Sequence, residues 1–151
     1  MFDSRRFIVL SAAGALAALS FAAGLGIGRA QTPTVGWATP MVIHVAQMTS
    51  ADFPPKAPTA SNQVKMLAVA EGGTVQVQLG PVGKHYHANA NEVQYIVDGT
   101  GQFWLGDKQV TVGPGDLIII PKGTAHGMLA NYKAVGIKSP PQAPDDAHPL
   151  P

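Results

Sequence analysis

The sequence has 151 residues, 46% of them hydrophobic and only 13% charged, which fits one domain and is too apolar for a disordered chain. A formal net charge of +1 leaves no electrostatic footprint for nucleic acid or an anionic lipid surface. Without cysteine there is no disulfide framework, thiolate zinc site or cysteine nucleophile, so any metal must be held by nitrogen and oxygen.

The chain opens MFDSRRFIVLSAAGALAALSFAAGLGIGRAQT. Arg5 and Arg6 precede an uncharged apolar run from Phe7 to Ile27, and Gly28 and Ala30 put small residues before a cut at Gln31. That is the layout of an export signal. The arginine pair adds a twin-arginine reading, in which the protein leaves the cytoplasm already folded. The fit departs from that pattern in one place, because Phe7 follows Arg6 directly with no residue between. The alternative is an uncleaved anchor, since the run of about 21 residues just suffices to span a bilayer. The expected location is the periplasm or the exterior, with no stable membrane partner once the signal is cut.

The expected organisation is an export signal over residues 1–30, an N-terminal arm and Pro-rich loop over 31–62, a barrel over 63–138 and a Pro-rich tail over 139–151. Removing residues 1–30 takes every arginine and leaves seven lysines against eight acidic residues. The remaining chain lacks the side chain best suited to grip a carboxylate or phosphate bidentately.

The 17 glycines and 13 prolines punctuate short apolar runs and argue for an all-β domain. Residues 31–40 read as a linker anchored by Val35 and Trp37, and MVIHVA (Met41–Ala46) reads as a strand. Thr49–Asn62 reads as a long Pro-containing loop. TVQVQL (Thr74–Leu79) alternates, with Val75, Val77 and Leu79 on one face and Thr74, Gln76 and Gln78 on the other. QVKMLAVA, KHYH, NEVQYIVDG, QFWLG, KQVTVG, GDLIIIP, AHGMLA and KAVGIK complete the expected strands, with EGG and PVG as turns. No long helical period follows the signal. The class is a β-sandwich or barrel.

KHYHANANE (Lys84–Glu92) carries the chemistry. On a strand, His85 and His87 point to one face, about 7 Å apart, and Glu92 opens the next strand. Two histidines and a carboxylate form a facial set that suits Fe(II) or Mn(II) and leaves coordination positions open. His126, after the PKG turn (Pro121–Gly123), is a candidate fourth ligand. Gln94 shares parity with Glu92 and is expected to face the barrel, as a support for the ligand or a substrate contact. Met128 shares parity with His126 and is expected at the cavity wall. His44 reads as a partly buried strand residue first and a pocket residue second. Tyr86 is expected to point away from the ligands. Phe103, Trp104 and Tyr95 are expected in the core, Asp98, Asp107 and Asp116 in turns, and His148 in solvent.

The chain resembles a small single-domain bacterial cupin. His85, His87, Glu92 and Gly99 match the first cupin motif at its spacings, and Gly115, Pro121, Gly123 and His126 match the second. Leu79 stands where the first motif has an earlier glycine, and Asn131 falls one position late. The resemblance implies a double-stranded β-helix, or jelly-roll, barrel holding one divalent ion (Mn, Fe, Ni or Zn) on His85, His87, Glu92 and His126. It also makes a homodimer the expected assembly.

Lost arginines argue against oxalate-type and phosphosugar substrates, because the lysines mostly read as lying in turns or on strand edges. The first functional expectation is a dioxygenase-like oxidoreductase acting on a small neutral molecule. The alternatives are a non-catalytic small-molecule or metal-binding module and a metal-dependent isomerase or lyase.

Overall fold

The computed structural model describes residues 40–70 and 72–151. The export signal, the linker anchors Val35 and Trp37, and Glu71 lie outside the described residues. Among the described residues, no helix is long and apolar enough to cross a membrane.

Among the described residues, ten strands follow in chain order: β1 Gln63–Ala70, β2 Gly73–Leu79, β3 Val82–His87, β4 Asn91–Asp98, β5 Gly101–Leu105, β6 Lys108–Val112, β7 Leu117–Ile120, β8 His126–Met128, β9 Lys133–Ser139 and β10 Ala147–Pro149. They form two five-stranded sheets, ordered β1-β2-β9-β4-β7 and β10-β3-β8-β5-β6, with every pairing antiparallel. Packed face to face, they make the jelly-roll barrel expected of the sequence.

Two glycines fix the corners that matter for the site. Gly99, between β4 and β5, has φ +89, and a Cβ there would lie 2.5 Å from the carbonyl oxygen of Asn131. Only glycine meets both demands. Gly123, in the PKG turn, has φ +78, and its N–H donates to the carbonyl of His87. That bond ties the turn before His126 to the strand carrying His85 and His87.

Residues directly opposite in an antiparallel pair share a face. Thr74 pairs with Lys138, and Lys138 with Glu92, so the interior face of the first sheet runs Thr74, Lys138, Glu92 and then Ile120. The next row is Gln76, Gly136, Gln94 and Ile118. The polar face of β2 therefore looks inward, and Thr74, Gln76 and Gln78 are all buried. Along β4 the inward residues change from Glu92 and Gln94 to Ile96. Ile96, Phe103, Val112, Ile118, Ile120, Met128, Tyr132 and Ala134 form the apolar core. The barrel thus has one polar and one apolar end.

Several local expectations are corrected. Met41–Ala46 is not a strand. Pro40–His44 has no regular structure, Val45–Gln47 is a 3-10 turn, and Val42 is 84% exposed. Strand propensity needs a partner edge to be realised, and the arm instead lies where Lys133 Nζ donates to the carbonyl of Ala46 at 2.9 Å. Ser50–Asp52 forms a second 3-10 turn within the long loop. Val82 and Gly83 belong to β3 rather than to a turn, which falls at Gly80 with φ +99. Tyr95 faces outward and is 45% exposed, because its neighbours Gln94 and Ile96 take the inward positions. The Pro-rich tail is docked through β10 against β3, and His148 stacks on Tyr86 with ring centroids 4.8 Å apart.

Candidate metal centre

His85 and His87 stand on one face of β3, and His126 on β8 pairs directly with His85. Glu92 comes from β4 in the opposite sheet, so the cluster closes the polar end of the barrel between its two layers. The ligand atoms of His85, His87, Glu92 and His126 all lie within 4.8 Å of one another, with three of these residues buried and His85 partly so. The imidazole centroids are 5.0 Å apart for His85–His87, 4.3 Å for His85–His126 and 5.3 Å for His87–His126.

Each imidazole has its Nδ1 beside a backbone carbonyl. The partners are Gly83 for His85 at 2.8 Å, Asp146 for His87 at 3.3 Å and Thr124 for His126 at 2.9 Å. A carbonyl only accepts, so Nδ1 carries the hydrogen and Nε2 keeps its lone pair. The Nε2 atoms of His87 and His126 sit 3.1 and 3.2 Å from the same oxygen, Glu92 Oε2. Lone pairs converging on a carboxylate oxygen repel unless a proton or a metal cation lies among them. The donor set, nitrogen and oxygen only, therefore fits a divalent ion of the Mn, Fe, Ni or Zn kind.

The carboxylate is aimed by its other oxygen. Glu92 Oε1 accepts from Gln94 Nε2 at 3.0 Å and from Gln78 Nε2 at 3.5 Å. Gln78 Oε1 in turn accepts from the buried Tyr132 hydroxyl at 2.8 Å. Such outer hydrogen bonds fix a ligand's orientation before any ion arrives. Burial works to raise the Glu92 carboxyl; with a proton on Nε2 in place of an ion, hydrogen bonds from His126 and His87, together with the Lys138 ammonium, outweigh it and hold the group below the ordinary carboxylate range. Burial, with the neighbouring His126 charge, pushes His85 down to about 4. Both effects keep Glu92 ionised and His85 neutral at neutral pH, the states in which they can hold a metal.

Of the other candidates from the sequence, Gln94 is at the centre, 2% exposed. Met128 is fully buried but pairs opposite Phe103 in the apolar core. His44 is exposed at the start of the 3-10 turn and is not part of the cluster. Lys138 and Asp146 are additions that the sequence reading missed. Lys138 Nζ lies 3.9 Å from Glu92 Oε2 and donates to Gln142 Oε1. Burial pushes its ammonium below the usual lysine range, and the charges of Glu92 and Asp146 partly restore it. The assignment of lysines to turns and strand edges is therefore corrected at this position. The signal available was parity: Ala134, Gly136 and Lys138 alternate onto one face of β9, with two small residues beside one long cation. Thr74 Oγ1 and Gln94 Oε1 are buried polar atoms with no hydrogen-bond partner, and both belong to the same inward rows.

The description "Cupin domain" fits residues 69–135, which span both motifs and support a cupin domain. A search of curated proteins returns no match to this chain. Among solved structures, Streptomyces Pac13 with uridine is similar at 18% identity and TM-score 0.58, over 70% of this chain and 91% of that one. Pac13 is described as a unique nucleoside dehydratase. KdgF from a Halomonas species is similar at 18% identity and TM-score 0.52, over 61% of this chain and 92% of that one. An RmlC-like cupin from Shewanella frigidimarina is similar at 16% identity and TM-score 0.53, over 66% of this chain and 92% of that one. At these identities the likeness shows the fold alone.

Proposed function

We propose that this chain is an exported, single-metal cupin enzyme that oxidises a small molecule by dioxygenase-like chemistry. The observation that carries the reading is the convergence of His87 Nε2 and His126 Nε2 on Glu92 Oε2, with His85 completing the set. A divalent ion on this set supplies a Lewis-acidic centre with exchangeable positions for substrate or dioxygen. The chain's own residues orient and desolvate. Gln94 and Gln78 hold the carboxylate, the backbone carbonyls hold the imidazoles, and the buried polar rows of β2 and β4 face the reacting molecule. Free acid–base groups are scarce: Glu92 is committed to the cluster, and burial with the nearby Glu92 charge pushes the Tyr132 phenol up, away from proton transfer at neutral pH. That scarcity suits metal-centred oxidation, and suits a non-catalytic binding module as well.

A second reading, a metal-dependent lyase or isomerase, is favoured by Lys138. A buried ammonium beside Glu92 could bind negative charge developing on an oxygen-rich substrate. A barrel of this fold serves the nucleoside dehydratase Pac13, so the architecture is compatible with elimination. Lys138 also weakens the sequence argument for a strictly neutral substrate.

Oxygen uptake by Fe(II)-loaded protein with a panel of phenols and diketones tests the first reading. Anaerobic conversion of a hydroxylated acid or nucleoside panel by Mn(II)-loaded protein would select the second. Stoichiometric metal without turnover in either arm would leave a binding module. Export is supported by Arg5–Arg6 and the apolar run behind them; fractionation of expressing cells tests it. Pairing of two copies is supported by the outer face of the first sheet, where Tyr95, Leu117, Ile119 and Ile137 are 45–61% exposed. Light scattering tests it.

A further inference from the structure

The tail after Ser139 makes contacts with β3, which carries His85 and His87, with the spacer that follows it, and with Lys138 on β9. Asp146 is 1% exposed. Its Oδ1 accepts from the backbone N–H of Asn89 at 2.7 Å and from Asn89 Nδ2 at 2.9 Å, and its Oδ2 accepts from the N–H of Ala90 at 3.1 Å. Asn89 and Ala90 lie in the spacer that joins His87 to Glu92. The backbone carbonyl of Asp146 is the partner of His87 Nδ1. Before it, Gln142 accepts from Lys138. After it, Ala147 and Pro149 pair with His87 and His85, and the N–H of Leu150 donates to the carbonyl of Lys84 at 2.9 Å.

We propose that Gln142–Leu150 is a working part of the metal centre. Asp146 is the positioning residue for His87 and its spacer, and docking of this strap is thermodynamically coupled to metal binding. The inference rests on the reading that the cluster binds a metal. The physical reason lies in the two acceptors of one residue. The Asp146 carboxylate makes charge-assisted bonds to the spacer, which places its own carbonyl against His87 Nδ1. That carbonyl sets the tautomer that leaves Nε2 free for a cation. A clamp that served only folding would add stability without changing metal affinity. A coupled strap must be held more firmly by the metal, to the same degree that it tightens the metal.

The test is zinc binding by the full-length protein, measured by competition with a chromophoric chelator, together with amide exchange of Asn89, Ala90 and Leu150 in zinc-free and zinc-loaded protein. Asp146→Ala is expected to weaken zinc binding roughly 10- to 100-fold, Asp146→Asn by less, and Asp145→Ala, at an exposed position, by under about twofold on the same basis. Zinc is expected to slow exchange at all of these amides in the wild type, and to lose its effect at Leu150 in Asp146→Ala. A folded Asp146→Ala protein that binds zinc as tightly as the wild type overturns the inference and leaves the metal site standing. So does a wild-type Leu150 amide that ignores zinc, and that result decides the matter if the variant fails to fold. A wild type that binds neither zinc nor manganese removes both.

Discussion

His85 and His126 stand directly opposite each other across β3 and β8, with ring centroids 4.3 Å apart. They are 41 positions apart in the sequence, and the pairing of two short strands makes them neighbours. Glu92 reaches them from the other sheet, so the cluster also acts as a cross-link between the layers when a cation joins its members.

His126→Ala is expected to reduce bound metal from about one ion per chain to near zero, since one of the ligands and the Thr124-oriented imidazole go together. Elemental analysis of purified protein, with far-UV circular dichroism to verify folding, measures this. Full metal occupancy in the folded variant would show that the ion sits elsewhere.

Acid should weaken the metal-free protein in a defined interval. His85 ordinarily titrates at 6.5 and is pushed down to about 4 in the fold, chiefly by burial. Below pH 6.5 the unfolded chain therefore takes a proton that the folded chain refuses, and stability falls until the folded value is reached. Asp146 works in a lower interval. Burial raises it, the N–H groups of Asn89 and Ala90 outweigh burial, and the stability it adds is lost as pH drops below its ordinary 3.8. Urea midpoints of chelator-treated protein should drop between pH 7 and pH 5. A flat profile there contradicts the burial of a neutral His85.

Lys138 places a positive charge 3.9 Å from the ligand oxygen Glu92 Oε2. Its replacement in Lys138→Met should tighten divalent-metal binding by roughly fivefold to tenfold through lost charge repulsion. If the lysine also holds developing negative charge, anaerobic lyase turnover should fall in the same variant. Weaker metal binding in Lys138→Met would mean that the ammonium supports the carboxylate more than it repels the ion.

Gly99→Ala should destabilise the barrel by about 2–4 kcal/mol, from a left-handed backbone angle and a Cβ forced against the Asn131 carbonyl. Phe103→Ala, at a fully buried core position, should cost about 3–5 kcal/mol. Denaturant unfolding measures both. A loss below about 1 kcal/mol at Gly99 would show that the corner relaxes freely.

The sequence by itself determined the all-β class and, through its cupin resemblance, pointed to a jelly-roll barrel and to His85, His87, Glu92 and His126 as candidate ligands. Alternation within strands put His85 with His87 and Gln94 with Glu92, because side chains on a strand repeat every second residue. Glycine and proline spacing marked most turns, because positive φ and a fixed φ are local demands. What only the tertiary structure decided was which face looked inward and what the ends of the chain did. Nothing local distinguishes the polar face of β2 as the buried one; the Glu92 carboxylate that Gln78 meets lies on a strand 14 residues away. The apolar Met41–Ala46 found no strand edge, whereas the proline-rich tail found one on β3. Lys138 and Asp146 joined the centre for the same reason. Their roles come from partners brought close by sheet pairing, and a residue's neighbours in the sequence carry no record of its neighbours across a sheet.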